Sequence, residues 1–380
     1  MKMVSRLARI GAVIAATVFA PGWWCGRDGE ALFEGDDEAQ GELRGGVDDW
    51  VGRDLGQHAY GTGSERFDGE WLFGSYLMAA LGYAHLALEH PEQRDAHLPR
   101  MELALTGALA TPTRGFDRAA WGTDPLEDLG TDRAHAAYLG YLNLALSLHR
   151  YLDPDSRFAE DNDAITSHLA RLLAESDTGL VETYPGEVYP VDNTAFIGSL
   201  GPYDAATGGD HGELVAAFTA GLAARYVDRD TGLLIQAVDP ATGAMRDEAR
   251  GSGTALAAYF LSFSDRRASR ALWDAMRAHL LRDGVGLAAM REYPVGVAGS
   301  GDIDSGPVFL GLGVSATGFA LGVSRAHGDS VTYRHLWATT SLVGAPTHVG
   351  SGRRFVMGGA IGDTLLFAML TTPRRLPWDA

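Results

Sequence analysis

Beyond its first 25 residues this 380-residue chain has no lysine and no cysteine, since Lys2 and Cys25 are the only examples of each. A Schiff-base or pyridoxal-phosphate lysine, a Walker lysine, a cysteine nucleophile, a thiolate zinc site and an internal disulfide framework therefore all lack their atoms. No HExxH, GxSxG or Cys/His zinc spacing occurs either. What remains is carboxylate, imidazole, phenol, hydroxyl and guanidinium chemistry, and neither a metal nor a cofactor is expected. Positive charge is scarce too: 49 acids oppose 31 bases, for a net charge of −18. Such a surface repels a phosphate backbone and argues against a nucleic-acid partner. With 46% apolar and 21% charged residues the chain has ample material for a core.

Lys2, Arg6 and Arg9 precede an apolar run from Ile10 to Trp24. Its length suits the apolar region of a signal peptide and falls short of the roughly 20 residues of a comfortable membrane span. Pro21 directly after Ala20 makes a poor cleavage site, so a cleaved signal peptide and an uncleaved anchor through residues 10–24 both fit. Either way the expected location is periplasmic or extracellular. Residues 26–48, rich in Gly, Asp and Glu, read as a linker, and 49–380 as one domain.

That domain is punctuated by a recurring turn, SDTGLVETYP, DRDTGLLIQAVDP and RDGVGLAAMREYP, whose Gly179, Gly232 and Gly286 are 53 and 54 residues apart. Weaker copies centre on Gly115 and Gly352. Glycine there fits a left-handed residue closing a helix C-terminus. Between the turns, apolar glycine-rich segments (68–89, 133–152, 192–200, 251–263, 304–326, 358–370) alternate with charged ones (155–175, 266–281, 329–343). Apolar on all sides means buried and a charged face means solvent, so the first set predicts an inner ring and the second an outer ring. The pattern predicts an all-α fold, an (α/α)5–6 toroid of helical hairpins with an axial cavity, over an open superhelix of helical repeats. GLGVSA, residues 311–316, matches a dinucleotide glycine pattern, but it lacks βαβ alternation and is expected to be helix packing.

In a toroid each extended piece before an inner helix lies on one rim, so its residues converge on the cavity. The richest is YPGEVYPVDN, with Tyr184, Glu187, Tyr189, Asp192 and Asn193. Asp192 stands where a helix begins and is either an N-cap or a general acid or base. REYPVGVAGSGDIDSGP contributes Glu292, Tyr293, Asp302 and Asp304; it has the start of a calcium loop but neither its third acid nor its glutamate at position twelve. Asp68, Glu70 and Trp71 occupy the equivalent point of the first hairpin, where the two acids would otherwise cap the helix, and Trp121 that of the second. His135, near the start of an inner helix, is either a cavity residue or a core histidine.

DRAHAAYLGYLNLAL, ETYPGEVYPVDN and GDIDSGPVFLGLGVSATGFAL together resemble the linalool dehydratase-isomerase family of helical toroids, over most of residues 65–370. The resemblance implies export, a small hydrophobic alcohol in the axial cavity, and cofactor-independent removal, addition or migration of water. It places the family's histidine at His135, its two cysteines at about Thr183 and Asp192, and an acid and a tyrosine between Asp49 and Tyr76. Both thiol positions are non-thiol here, which leaves proton transfer to a carboxylate at Asp192, with His135 and Glu187 beside it. A carbohydrate-active toroid (glycoside hydrolase, polysaccharide lyase or uronyl epimerase) and a non-catalytic binding protein are the alternatives, because fold does not fix function. A small molecule is the expected partner, and a homo-oligomer is compatible with the fold.

Overall fold

The computed structural model describes residues 20–53, 55–56, 59–297, 299–302 and 305–379. The signal or anchor segment lies largely outside the described residues, as does Asp304. Among the described residues six helices form an inner ring: α3 (Glu65–Glu89), α6 (Ala136–Leu152), α8 (Pro190–Thr207), α10 (Gly251–Leu261), α12 (Val314–Ala326) and α14 (Gly359–Thr371). Each packs on the next, and α14 packs back on α3. That contact closes the array and excludes the open superhelix. Outside them stand α2 (Asp37–Val51), α4 (Arg94–Ala108), α7 (Ala159–Glu175), α9 (Gly212–Arg225), α11 (Arg266–His279) and α13 (Ser330–Gly344), one against each inner helix. The short α1 (Gly29–Glu34) and α5 (Gly115–Trp121) complete the helices named here.

The two rings differ as their sequences require. On α11 the buried Ser269, Leu272, Trp273 and Met276 follow the three-to-four spacing of a single inward stripe, and Asp265 caps its first turn through Arg267 and Ala268. Inner helices are apolar all round; α3 is long and apolar enough to cross a membrane, yet 83% of its most apolar window is buried in the ring. Glycine lets these helices touch. A Cβ on Gly198 or Gly201 of α8 would stand 2.3 Å from the Phe260 carbonyl oxygen or 1.9 Å from that of Phe263, at and just past the end of α10.

Connections from inner to outer helices are short. Those from outer to inner helices are long and carry the two-stranded antiparallel ribbons β1–β2 (Ile235–Val238, Met245–Ala249), β3–β4 (Leu281–Gly284, Leu287–Met290), β5–β6 (Val308–Phe309, Leu312–Gly313) and β7–β8 (Pro346–Val349, Gly352–Phe355). All of them sit on one rim.

Several expectations change. Residues 26–48 are no linker: Asp36 caps α2, and Leu32, Phe33, Leu43, Val47 and Val51 are buried. Few apolar residues sufficed because they are spaced to share one helix face, and α2 becomes the outer partner of the last inner helix. The inner helix expected from Asp304 starts ten residues later, at Val314. Leu310 and Gly311 have φ of +52° and +80°, and this turn makes the β5–β6 hairpin out of PVFLGLG. GLGVSA is thus a hairpin turn and a helix start, where helix packing was expected. Gly179, Gly232 and Gly286 do adopt positive φ, but in turns beyond the helix ends, with Gly286 at the tip of β3–β4.

We expect Gly201→Ala to destabilise the fold by about 1–3 kcal/mol, because overpacking outweighs the gain in helix propensity. Gly41→Ala in α2, where nothing lies within 4 Å of the added carbon, should be neutral or stabilising. Urea denaturation of the two variants measures the contrast.

Candidate active site

The acidic turn expected on the rim is there, and the first inner helix completes it. Arg66 and Glu70 are one turn apart at the start of α3, with Arg66 Nε 3.3 Å from Glu70 Oε1. The Arg66 guanidinium lies 3.6 Å above the centre of the Tyr184 ring and its Nη2 is 3.4 Å from Glu187 Oε2. The Tyr184 hydroxyl donates to Glu70, and the Tyr189 hydroxyl donates to Glu187 at 3.1 Å. A tight turn joins these phenols: Glu187 N–H donates to the Tyr184 carbonyl at 2.9 Å, and Gly186 supplies the left-handed residue, φ +76°.

Asp192 closes the group from below. It is the third residue of α8, after Pro190 and Val191, and it is buried. Oδ1 accepts from the Tyr141 hydroxyl of α6 at 2.6 Å. Oδ2 accepts from the Thr183 hydroxyl at 2.8 Å. The carboxylate is thus held by two side-chain hydroxyls from neighbouring elements, and Tyr189 is the residue at the cap position. Asn193 faces the other way, bonding the Val181 N–H at 2.8 Å and the Val181 and Tyr189 carbonyls at 3.1 and 3.3 Å. It clamps the turn to the helix.

The surroundings of Glu70 shift its titration upward. Burial raises the Glu70 pKa, the negative charge of Asp192 adds to the rise, and the bonds from Tyr184 and Arg66 offset only part of it. Burial and the facing carboxylates push Tyr184 and Tyr189 above an ordinary phenol, so both stay protonated donors. Tyr60, whose hydroxyl donates to Ser75 at 2.6 Å, is pushed up to about 12 by burial. Its ring meets Trp71 edge-on at 6.3 Å.

His135, itself fully buried, belongs to a second cluster. Its Nδ1 is 2.5 Å from Asp117 Oδ2 and its Nε2 2.9 Å from Asp128 Oδ2, and the Trp121 ring lies at 4.5 Å. Both ring nitrogens are taken up by these two carboxyl groups, so neither is left to face Asp192. His135 stands at the cap position of α6 with φ +50°, an uncommon conformation for a residue with a side chain. The next amide, Ala136 N–H, donates to the Glu182 carbonyl at 3.2 Å, which couples this cluster to the acidic turn.

The third cluster gathers Glu292, Tyr293 and Asp302. Glu292 is wholly buried; Oε1 accepts from the Ser252 hydroxyl at 2.5 Å, Oε2 has no partner, and burial raises its pKa to about 7. Asp302 pairs with Arg250, whose guanidinium stands 5.7 Å from the Tyr293 ring centre. Asp68 accepts the Thr62 N–H at 2.9 Å and its hydroxyl at 2.7 Å, holding the loop before α3. Asp192, Tyr184, Glu187 and Tyr189 are therefore brought together, while His135 with Trp121, and Glu292 with Tyr293 and Asp302, form separate groups. Arg66, Tyr141, Asp117 and Asp128 escaped the sequence reading. Arg66 and Tyr141 lie within helices and beyond the turns; Asp117 is in a short helix without any repeat signal.

These features define a six-hairpin α/α toroid with acids and phenols on the rim where its long loops meet. The chain belongs to the linalool dehydratase/isomerase family, whose model matches residues 137–354; the match includes Tyr141, Thr183 and Asp192 and stops short of Arg66 and Glu70. No curated protein sequence matches the chain. Among solved structures, an inactive variant of the alpha-1,6-mannanase GH76A of Salegentibacter sp. HEL1_6, in complex with alpha-1,6-mannotetrose, is 14% identical over 92% of this chain and 99% of that one, with a TM-score of 0.51. A second inactive variant of the same mannanase, with alpha-1,6-mannotriose, is 11% identical over 80% and 90%, also at 0.51. An unsaturated glucuronyl hydrolase from Streptococcus agalactiae is 14% identical over 79% and 81%, at 0.46. At identities this low the two mannanase structures show a common fold alone.

His135→Ala would leave Asp117 buried against an empty space. Leaving a buried polar group without its partner costs about 1–3 kcal/mol, so a fall in melting temperature is expected by differential scanning fluorimetry. An unchanged melting temperature would rule out the bracing role.

Proposed function

We propose that the protein is a cofactor-independent lyase or isomerase that removes, adds or shifts water on a small alcohol, with Asp192 and Glu70 as its proton-transferring pair. The observation that carries this reading is the unlike setting of two carboxyls on one rim: Glu70 is partly buried and raised in pKa by desolvation and by the charge of Asp192, whereas Asp192 is buried and accepts from two hydroxyls. Paired carboxyls in contrasting environments divide the roles of acid and base. Membership in the linalool dehydratase/isomerase family supports the reaction class.

In the forward direction protonated Glu70 gives its proton to the substrate hydroxyl, the C–O bond breaks and water departs. Asp192 takes a proton from the adjacent carbon, whose C–H electron pair forms the new double bond. Proton return from Asp192 to Glu70 resets the site, and readdition of water at another carbon of an allylic system gives isomerisation. Tyr184 and Tyr189 hold Glu70 and Glu187, and Arg66 offsets their charge while its guanidinium lies on the Tyr184 ring. His135, braced by Asp117 and Asp128, positions the turn through Ala136 and Glu182. We further propose export, with the apolar run from Ile10 to Trp24 as signal or anchor.

Asp192→Asn should lower turnover of a terpene-alcohol substrate at least a hundredfold, the scale of a lost proton-transfer group, with the melting temperature within a few degrees of the parent. Mass spectrometry for loss or gain of one water reads the reaction; full activity in the variant refutes the assignment, and sugar release from glycans refutes the reaction class. The pH profile provides a second test. Glu70 raised above the ordinary carboxylate range keeps its proton to higher pH, so kcat/KM should fall as pH rises through that raised value. Glu70→Gln should remove this descending limb along with most of the turnover. A Glu70→Gln enzyme with the parental profile would exclude Glu70 as the acid.

A further inference from the structure

The end of the toroid away from this rim carries an unrelated group of side chains. His149 stands in the last turn of α6, and Asp153, four residues on, is the extended residue that caps its C-terminus. Glu102 reaches them from the outer helix α4. One ligand atom from each of the three lies within 4.8 Å of the other two. His149 is wholly buried. Its Nδ1 is 2.8 Å from Ser156 Oγ, and its Nε2 has no hydrogen-bond partner and faces Glu102 Oε1 at 3.8 Å.

A buried ring nitrogen without a partner is costly. When Nδ1–H donates to a hydroxyl, the lone pair of Nε2 points outward, and this is how second-sphere bonds orient metal-binding histidines. The carboxylates are also suitably free. Glu102 pairs through Oε2 with Arg157 at 3.4 Å, which leaves Oε1 toward His149, and the Asp153 carboxylate accepts the Asp155 N–H at 3.1 Å through Oδ1. The carbonyls ending α6 add negative potential. Two carboxylates against one guanidinium leave a net negative site.

We propose that His149, Glu102 and Asp153 bind a divalent transition-metal ion, zinc by preference, which staples outer helix α4 to the end of inner helix α6. Imidazole and carboxylate oxygen are borderline ligands suited to zinc at about 2.0–2.2 Å, and three protein ligands leave a fourth position for water. The ligand atoms stand slightly wider apart than that geometry needs, and the half-exposed Glu102 can turn inward to close it. The ion lies at the far end of α6 from Tyr141 and Asp192, so its role is structural.

The test uses the full chain, stripped with a chelator and titrated with Co2+ as a spectroscopic probe and then with Zn2+. One equivalent should bind with the visible absorption of tetrahedral cobalt, and zinc should raise the melting temperature. His149→Ala and Asp153→Asn should lose both effects, and Ser156→Ala should bind roughly tenfold more weakly or worse. Arg157→Ala should bind more tightly, because it frees Glu102. Should His149→Ala fail to fold, Glu102→Gln carries the same expectation from a partly exposed position. Absence of stoichiometric binding, or binding that survives the ligand substitutions, overturns the proposal. So does a Glu102→Gln protein whose melting temperature falls equally with and without metal, since Glu102 would then merely accept from His149.

Discussion

An inner ring of helices that are apolar on every side has no stable end. Each must be covered by a neighbour on both flanks and by an outer helix behind, so the array is satisfied only when its last helix meets its first. The seam where this happens is held by Arg325, which is wholly buried. It pairs with Glu89 at the end of α3 at 2.8 Å and bonds the carbonyls of Leu32, Thr371 and Thr372. Four parts of the chain, from the N-terminal segment to the last inner helix, meet at one guanidinium. A buried charge with this many partners adds little net stability but penalises any other arrangement, because a misplaced partner leaves the charge uncompensated.

Closure also determines where chemistry gathers. Since outer-to-inner connections all reach the same rim, residues more than a hundred positions apart, such as Glu70 and Tyr184, share a hydrogen bond there. Arg66 is the cation that this acidic turn is built around: one face lies on Tyr184 and its nitrogens reach Glu70 and Glu187. The phenols then serve as neutral donors that spread the negative charge. Asp192 sits under them on a rigid helix, and glycine makes the helix contacts behind it possible: Gly140 of α6 comes so close that an added Cβ would be 3.2 Å from the Asp192 carbonyl. The site is thus carried by the same tight inner packing that closes the ring.

The His135 cluster shows how such a rim is kept in place. A left-handed residue with a side chain persists only where its surroundings over-determine it, and two carboxylates and an indole do so here. Its neighbour's amide is bonded to Glu182, one residue from the Thr183 that holds Asp192. Strain at the start of α6 is therefore tied to the position of the acidic turn.

Much was legible in the sequence because it depends on local pattern. Alternating apolar and charged helical segments with glycine turns fixed the all-α class and the inner and outer sets, and the density of acids and phenols in YPGEVYPVDN marked the rim. Removal of lysine and cysteine left carboxyl chemistry by elimination. Closure was legible as an expectation from the glycine-rich inner segments and acidic turns, but the contact that makes it, α14 on α3, depends on the small rotation at each helix contact, which glycine close approaches set in three dimensions. The helix at 37–51 was not expected as part of the ring, because its few apolar residues matter only once α14, more than three hundred positions away, supplies the surface they cover. The partners of each acid were decided the same way. The sequence names Asp192, Glu70 and His135 as ionisable groups; only the fold gives Asp192 two hydroxyls, partly buries Glu70 beside a phenol and encloses His135 between two carboxylates, and environment, not residue type, sets what a carboxyl or an imidazole can do.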